Sequence, residues 1–343
     1  MRELKKPHFS MAGWGLFLAG ALTLSSCSNE DLPGGEEQGP AIEFGEVKTR
    51  AEVTEATQVR EFSVFAEMNY LLEDGTESTD FISLLDNERV YRMSEEESAD
   101  FTYDNKRYWV EDRTFNFFAV YPYMENNVER ADLTSGESSY DGYTIDFTTT
   151  ASADTDLMAA HNTVLTLTNY PFPESVNMPF QHLLTKINFN IKKNAEQNAD
   201  DEFKIIGIGI IGIKNQGTYK TSYSPNYTDN WEVGNSTMSY SKEFDDKEIT
   251  TGGITLFNTG EEPLLIPQQN EGVTLYIAYT YKMDGAETAT TKQTQATLPT
   301  SEWAAGKQIM YNLTLTVDNY IYFSTPTVEP WGAMQSGGTI IIK

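Results

Sequence analysis

From residue 60 onward the chain places apolar side chains at every second position. Phe62, Val64, Ala66 and Met68 do so first, then Val273, Leu275, Ile277, Tyr279 and Tyr281, then Ile309, Tyr311, Leu313, Leu315 and Val317. A two-residue repeat lines these side chains along one face of an extended strand and scatters them around a helix. Further strands are expected at 115–121, 143–149, 187–192, 204–213 and 320–323. The run from Lys204 to Lys214 is apolar on both faces, which suits a central strand packed from both sides, and its glycines suggest bulges or close backbone approach. No longer segment keeps a helical period, so helix is confined to short pieces at 81–88 and 94–100. The expected class is all-β, built as sandwiches.

Length and composition narrow the picture. A chain of 343 residues fits two units of roughly 150 residues each. The Pro-rich passage Tyr170-Pro-Phe-Pro-Glu-Ser-Val-Asn-Met-Pro179 lies where a boundary would fall. The division is therefore 51–178 for an N-terminal sandwich and 179–343 for a C-terminal one. With 19 Tyr, 18 Phe and 5 Trp, there is bulk enough for real cores. A formal charge of −27 offers no basic stripe for nucleic acid and no attraction to an anionic membrane surface. One cysteine excludes a disulfide framework and a Cys-rich zinc site.

The first residues read as an address. Arg2, Lys5 and Lys6 precede an apolar run from Met11 to Leu24, too short to cross a bilayer, which takes about 20 residues. The run ends in Leu24-Ser25-Ser26-Cys27, which resembles the bacterial lipoprotein box with Cys27 as the acylated residue. Residues 1–26 are then a signal peptide, and the polar, Gly- and Pro-rich stretch 27–40 a flexible tether. Its acidic residues after the cysteine resemble a surface-export signal. The only membrane association expected is through this lipid.

Catalytic chemistry is poorly provided for. Beyond the signal peptide only His161 and His182 remain, with no HExxH spacing, no Gly-rich phosphate loop and no free thiol. No enzyme activity, metal or cofactor is expected. Asp154 with Asp156, and Glu95-Glu96-Glu97, read as solvated acidic turns rather than calcium ligands. His182, beside Phe180, Leu183, Leu184 and Ile187, reads as a hydrogen-bonded histidine at the junction of the two units.

Several motifs in order carry a resemblance. They are Ile42-Glu-Phe44 with Thr49-Arg50-Ala51, Asp156-Leu-Met-Ala-Ala160, Phe180-Gln-His-Leu-Leu-Thr-Lys-Ile-Asn-Phe189, Leu264-Leu-Ile-Pro-Gln268, Trp303-Ala-Ala-Gly-Lys307 with Tyr311, and Pro330-Trp331. Together the set resembles the fimbrillin family of Bacteroidales, subunits of type V pili. The resemblance implies two tandem transthyretin-like β-sandwich domains and a lipid-anchored precursor at the outer membrane. It also implies an arginine-specific surface protease that trims the chain, a mature form in extracellular fimbriae, and other pilus subunits as partners, with a host protein or glycan as a further one.

On that resemblance the protease cuts between Arg50 and Ala51; without it, Arg50 is an exposed loop arginine. Residues 41–50 then form a removable N-terminal strand whose apolar members are Ile42, Phe44 and Val47. Losing an edge strand bares a row of unpaired backbone groups, which invites pairing with another chain. The donor candidate is Ile340, Ile341 and Ile342 in 339–343, after a Gly-rich hinge; the same residues also read as the last strand of their own sandwich. A rival function is a surface glycan-binding lipoprotein using Tyr223, Tyr227, Trp231 and Tyr240 as a sugar-stacking platform.

Overall fold

The structure, a computed structural model, describes residues 39–49, 59–71, 77–94, 100–130, 142–194, 200–222 and 230–331. Every described residue belongs to one compact unit, and none of them is helical. The N-terminal part holds β1 (Phe44–Thr49), β2 (Glu61–Leu71), β3 (Glu77–Arg92), β4 (Phe101–Thr102), β5 (Arg113–Tyr121), β6 (Val128–Arg130), β7 (Gly142–Thr148), β8 (Met158–Thr166) and β9 (Val176–His182). Next come β10 (Thr185–Lys193), β11 (Glu202–Lys214), β12 (Gln216–Ser222), β13 (Asn230–Val233), β14 (Thr237–Glu248), β15 (Ile254–Thr255), β16 (Leu264–Leu265) and β17 (Gln268–Gln269). The rest are β18 (Thr274–Lys282), β19 (Thr290–Thr297), β20 (Glu302–Trp303), β21 (Lys307–Leu315), β22 (Ile321–Phe323) and β23 (Thr327–Pro330).

Most of these strands pack as two pairs of sheets, and β17 with β20 forms a separate two-stranded one. In the first, a seven-stranded sheet in the order β1-β9-β8-β5-β2-β3-β4 faces the sheet β13-β12-β7-β6. Phe65, Phe118 and Val120 from the former meet Tyr143, Ile145 and Tyr219 from the latter. In the second, β14-β11-β18-β19 faces β15-β10-β21-β22 across Ile205, Ile208, Leu275, Ile277, Phe189, Ile309 and Tyr311. Strand β5 is buried along almost its whole length because both of its faces meet apolar cover. The seven-stranded sheet also curls, so that β1 at one edge approaches β4 at the other.

Each strand expected between residues 62 and 323 overlaps a strand of the structure, although Thr149, Val273, Val317 and Tyr320 fall just outside β7, β18, β21 and β22. Residues 81–88 are not helical; they lie inside β3. Opposite β2 the register of β3 shifts between Val64 and Ala66 and again between Ala66 and Glu67. These bulges bury Leu84 and Leu85 side by side and erase the period-two signal that marks a regular strand. Of the other expected helix, residues 95–99 lie outside the described residues. Strand β11 is central, between β14 and β18, and shifts register at Gly207 against both neighbours. It is not covered on both faces throughout, since Ile211 is 45% exposed.

The boundary drawn at 178/179 falls inside β9. The sheet facing the seven-stranded one joins β7, from before that boundary, to β12, from after it, over Gln216↔Thr148 to Ser222↔Gly142. A cut at 178/179 would divide both.

Candidate functional site: the slot holding residues 39–49

Ile42 is fully buried and Phe44 is 3% exposed. The backbone around them is bonded on both sides. On one side Val176 N–H donates to the Glu43 carbonyl at 2.7 Å, and β1 runs parallel to β9 with Phe44 opposite Val176, Val47 opposite Met178 and Thr49 opposite Phe180. On the other side Gly39 N–H donates to Trp109 O at 2.7 Å, Trp109 N–H to Pro40 O at 3.0 Å, and Ile42 N–H to Arg107 O at 2.8 Å. Ala41 and Tyr108 form the bridge between these bonds. Residues 39–44 thus sit in a slot with hydrogen-bonding walls on both sides, which leaves few of their backbone groups unpaired.

The floor of the slot is aromatic. Phe44 meets Phe62, Tyr103 and Phe117 edge-on at ring separations of 6.2, 5.5 and 6.0 Å. Phe62 in turn meets Phe101 and Phe180, and Trp109 meets Phe115 and Phe117. Edge-to-face contacts of this kind add about 0.5–1.5 kcal/mol each beyond area burial. Burying Ile42 and Phe44 adds about 1.5–3 kcal/mol apiece.

Polar contacts set the strand's position along the slot. The Tyr103 hydroxyl donates to Ile42 O at 2.9 Å and accepts from Arg107 N–H at 3.1 Å. Burial pushes this phenol up to about 12, so it remains a donor across the physiological range. Lys106 Nζ pairs with Glu43 Oε2 at 2.8 Å and lies 4.5 Å from the centre of the Tyr103 ring. Both members of that pair are partly exposed, so it contributes only about 0–1 kcal/mol. Arg107 Nε donates to Leu84 O at 2.7 Å, tying the slot wall to β3. Two glycines mark the ends. A Cβ at Gly39 would come within 2.5 Å of the Phe172 ring, and one at Gly45 would strike the Ser175 hydroxyl.

Of the residues singled out in the sequence, Ile42 and Phe44 meet in this slot, and Val47 is in β1. Cys27, Arg50, Ala51, Ile340, Ile341 and Ile342 lie outside the described residues, as do Glu95, Glu96, Glu97, Tyr223 and Tyr227. Trp231 does not stand free as a sugar platform: its Nε1–H donates to Leu183 O at 3.1 Å and its ring packs on Tyr219. Tyr240 is 4% exposed inside the second core. The slot walls at 103–109 and at 172–177 carry no sequence signal of their own. The Phe-x-Tyr and Tyr-Trp pairs at 101–109 hint at a core, but not at which strand they cover.

The two histidines hold structure together. His182 Nδ1 lies 2.8 Å from Asp156 Oδ2, and its ring stacks on Trp331 at 4.0 Å and 4°. Lys186 Nζ sits 4.4 Å over the same indole. Trp331 N–H donates to Gly306 O, and Gly306 N–H donates to Leu184 O, both at 2.9 Å. Gly306 has φ of +65°, with room for a side chain closed by His182 O at 3.2 Å. Four of the ordered motifs therefore converge on one seam. Asp154, the other half of the supposed acidic pair, accepts from Ser152 Oγ at 2.8 Å. Among the described residues no group of three or more His, Cys, Asp or Glu is placed to hold a metal.

Comparison with known proteins follows the same lines. Among solved structures, a fimbrial protein from Bacteroides vulgatus is 18% identical, with a TM-score of 0.60 over 85% of this chain and 99% of that one. A putative cell adhesion protein from Bacteroides ovatus is also 18% identical, with a TM-score of 0.50 over 86% of this chain and 99% of that one. At these identities the likeness is one of fold. No curated protein matches the chain. The model of the fimbrillin-like family, whose members are structural rather than enzymatic, matches residues 49–331. The chain belongs to the fimbrillin-like family.

Proposed function

We propose that this protein is a subunit of a cell-surface fimbria, joined to its neighbours by exchange of the strand that fills the slot. The precursor is acylated at Cys27 and carried to the outer-membrane surface. An arginine-specific protease then cuts between Arg50 and Ala51 and releases residues 41–50 with the lipid. The emptied slot takes a strand from another subunit, and a head-to-tail contact of this kind does not close, so it extends into a filament. The observation that carries the reading is the burial of Ile42, and of Phe44 at the start of the edge strand β1, just ahead of Arg50 in the sequence. An edge strand can leave without breaking any pairing except its own, and here its departure uncovers Phe62, Tyr103 and Phe117. Exposed aromatic surface beside unpaired backbone is a strong driving force for a new partner.

Arg50→Ala tests the maturation step. The variant accumulates as a lipid-retained precursor in the cell envelope and is missing from sheared filaments; normal incorporation would overturn the proposal. The glycan-binding rival has lost its described platform residues, because Trp231 and Tyr240 are packed within the fold. A host protein or glycan remains as a partner of the assembled filament.

A further inference from the structure

The slot is selective, and the residues that now fill it show how. Gly39 passes against the Phe172 ring, whose Cε2 and Cζ would lie 2.5 and 2.8 Å from any Cβ there. Ile42 fills a fully buried site. Glu43 meets Lys106. Phe44 fits between three rings. Gly45 passes Ser175 and Asn177, where a Cβ would strike the Ser175 hydroxyl and stand 2.9 Å from Asn177 Oδ1 and 3.1 Å from Ser175 Cβ. The hydroxyl and amide can rotate away, but the Ser175 Cβ moves only with its backbone.

One other heptapeptide in the chain has its glycine and its apolar pair at the same spacing and lies in a supposed donor segment: Gly337-Gly338-Thr339-Ile340-Ile341-Ile342-Lys343. Laid on residues 39–45, it matches at the first glycine and at Ile42. It then puts Ile341 where Lys106 meets a carboxylate, Ile342 where Phe44 fills a three-ring pocket, and Lys343 where a Cβ would stand 3.1 Å from Ser175 Cβ, so that the Ser175 backbone must give by a few tenths of an ångström. The branched Ile342 is smaller than the ring it would replace and leaves a void among the aromatics. The tail fits less well at three successive positions, the loss of the partly exposed Glu43–Lys106 pair being the smallest of them.

We infer that the slot reads the pattern glycine, two unrestricted residues, aliphatic, acid, aromatic, glycine, and that it rejects this chain's own residues 337–343. The strand that occupies it after processing therefore comes from a different protein carrying that pattern, and copies of this chain do not add to one another. This rests on the strand-exchange reading above and names its partner.

The test uses the full chain, with its attached strand as the probe. Hydrogen exchange at the amides of Ile42, Trp109 and Val176 reports occupancy of the slot, since each bonds across it. The amides of Ile187 and Leu256, bonded to Pro263 O and Phe189 O in the second core, report global folding. In the variant Pro40→Gly/Ala41→Thr/Glu43→Ile/Phe44→Ile/Gly45→Lys, which writes the tail into the slot, the first three amides exchange about tenfold faster or more while the last two hold. Unchanged protection at all five would overturn the inference. A second pair of variants guards against simple misfolding. Gly45→Ala speeds exchange at Val176, and Gly45→Ala/Ser175→Gly restores it, because the obstruction is the Ser175 side chain. Failure of that restoration would overturn the role given to Ser175. Neither measurement depends on cleavage at Arg50, so a chain that is never processed in cells would sink the strand-exchange reading without touching these results.

Discussion

Phe44 touches rings from β2, from the segment after β4 and from β5, so a single side chain ties the edge strand to three parts of the first core. Truncating such a buried phenylalanine removes about 3–5 kcal/mol. Phe44→Ala should show a fall of that size in a denaturant titration, and a change within 0.5 kcal/mol would mean that the slot is not part of the core. His161 sets a pH limit of a different kind. Its ring lies 4.7 Å from Phe118 and its Nε2 3.3 Å from Thr221 Oγ1, and burial pushes it down to about 4. The unfolded chain binds this proton more tightly than the folded one. The stability associated with the neutral ring is therefore complete above pH 6.5 and declines as pH falls toward 4, by up to about 3 kcal/mol. Between pH 7 and 4.5, His161→Gln should lose about 2 kcal/mol less than the parent, the carboxylates common to both cancelling. Equal losses would show that His161 does not bear the titration.

At the level of elements, the turn from β20 to β21 shows how Trp303 and Tyr311 act as a unit. Trp303 Nε1–H donates to the Tyr311 hydroxyl oxygen at 2.8 Å, Asn270 Nδ2–H donates to it at 2.7 Å, and Ser301 Oγ lies 2.9 Å away. Tyr311→Phe would leave the buried Trp303 Nε1–H without an acceptor and take from Asn270 Nδ2 one of its two, the other being Pro299 O at 2.9 Å; a buried donor left without an acceptor costs about 1–3 kcal/mol. A drop of about 2 kcal/mol or more in a denaturant titration is expected; neutrality would mean that the network is dispensable. These hydrogen bonds explain the spacing from Trp303 to Tyr311, yet alternation alone had already located β21. The same was true of β2 and β18, whose apolar residues also fall at every second position. Alternation failed at β3, where bulges bring Leu84 and Leu85 inward together. It also could not reveal that β12 crosses over to pair with β7. Partner choice depends on long-range packing that no local pattern encodes.

Across the whole molecule, the seven-stranded sheet curls until β1 nearly meets its opposite edge, and residues 39–49 are the piece that lines the opening. The candidate site was legible in part. Ile42 and Phe44 share a face and precede an arginine, which marks an apolar strand near a cleavable residue. The walls supplied by Tyr103, Lys106, Arg107 and Trp109, and the gates at Phe172 and Ser175, were not legible, because each acts through a neighbour more than sixty residues away in sequence. If the slot rejects the chain's own tail, the processed protein alone should stay monomeric in light scattering. Growth of a ladder of oligomers from pure material would contradict that. The most direct measurement concerns the chain as it leaves the cell surface: an intact-mass spectrum of the protein taken from sheared fimbriae. The account predicts an amino terminus at Ala51, with residues 39–49 gone. A filament-borne chain that still carries Ile42 and Phe44 would contradict it.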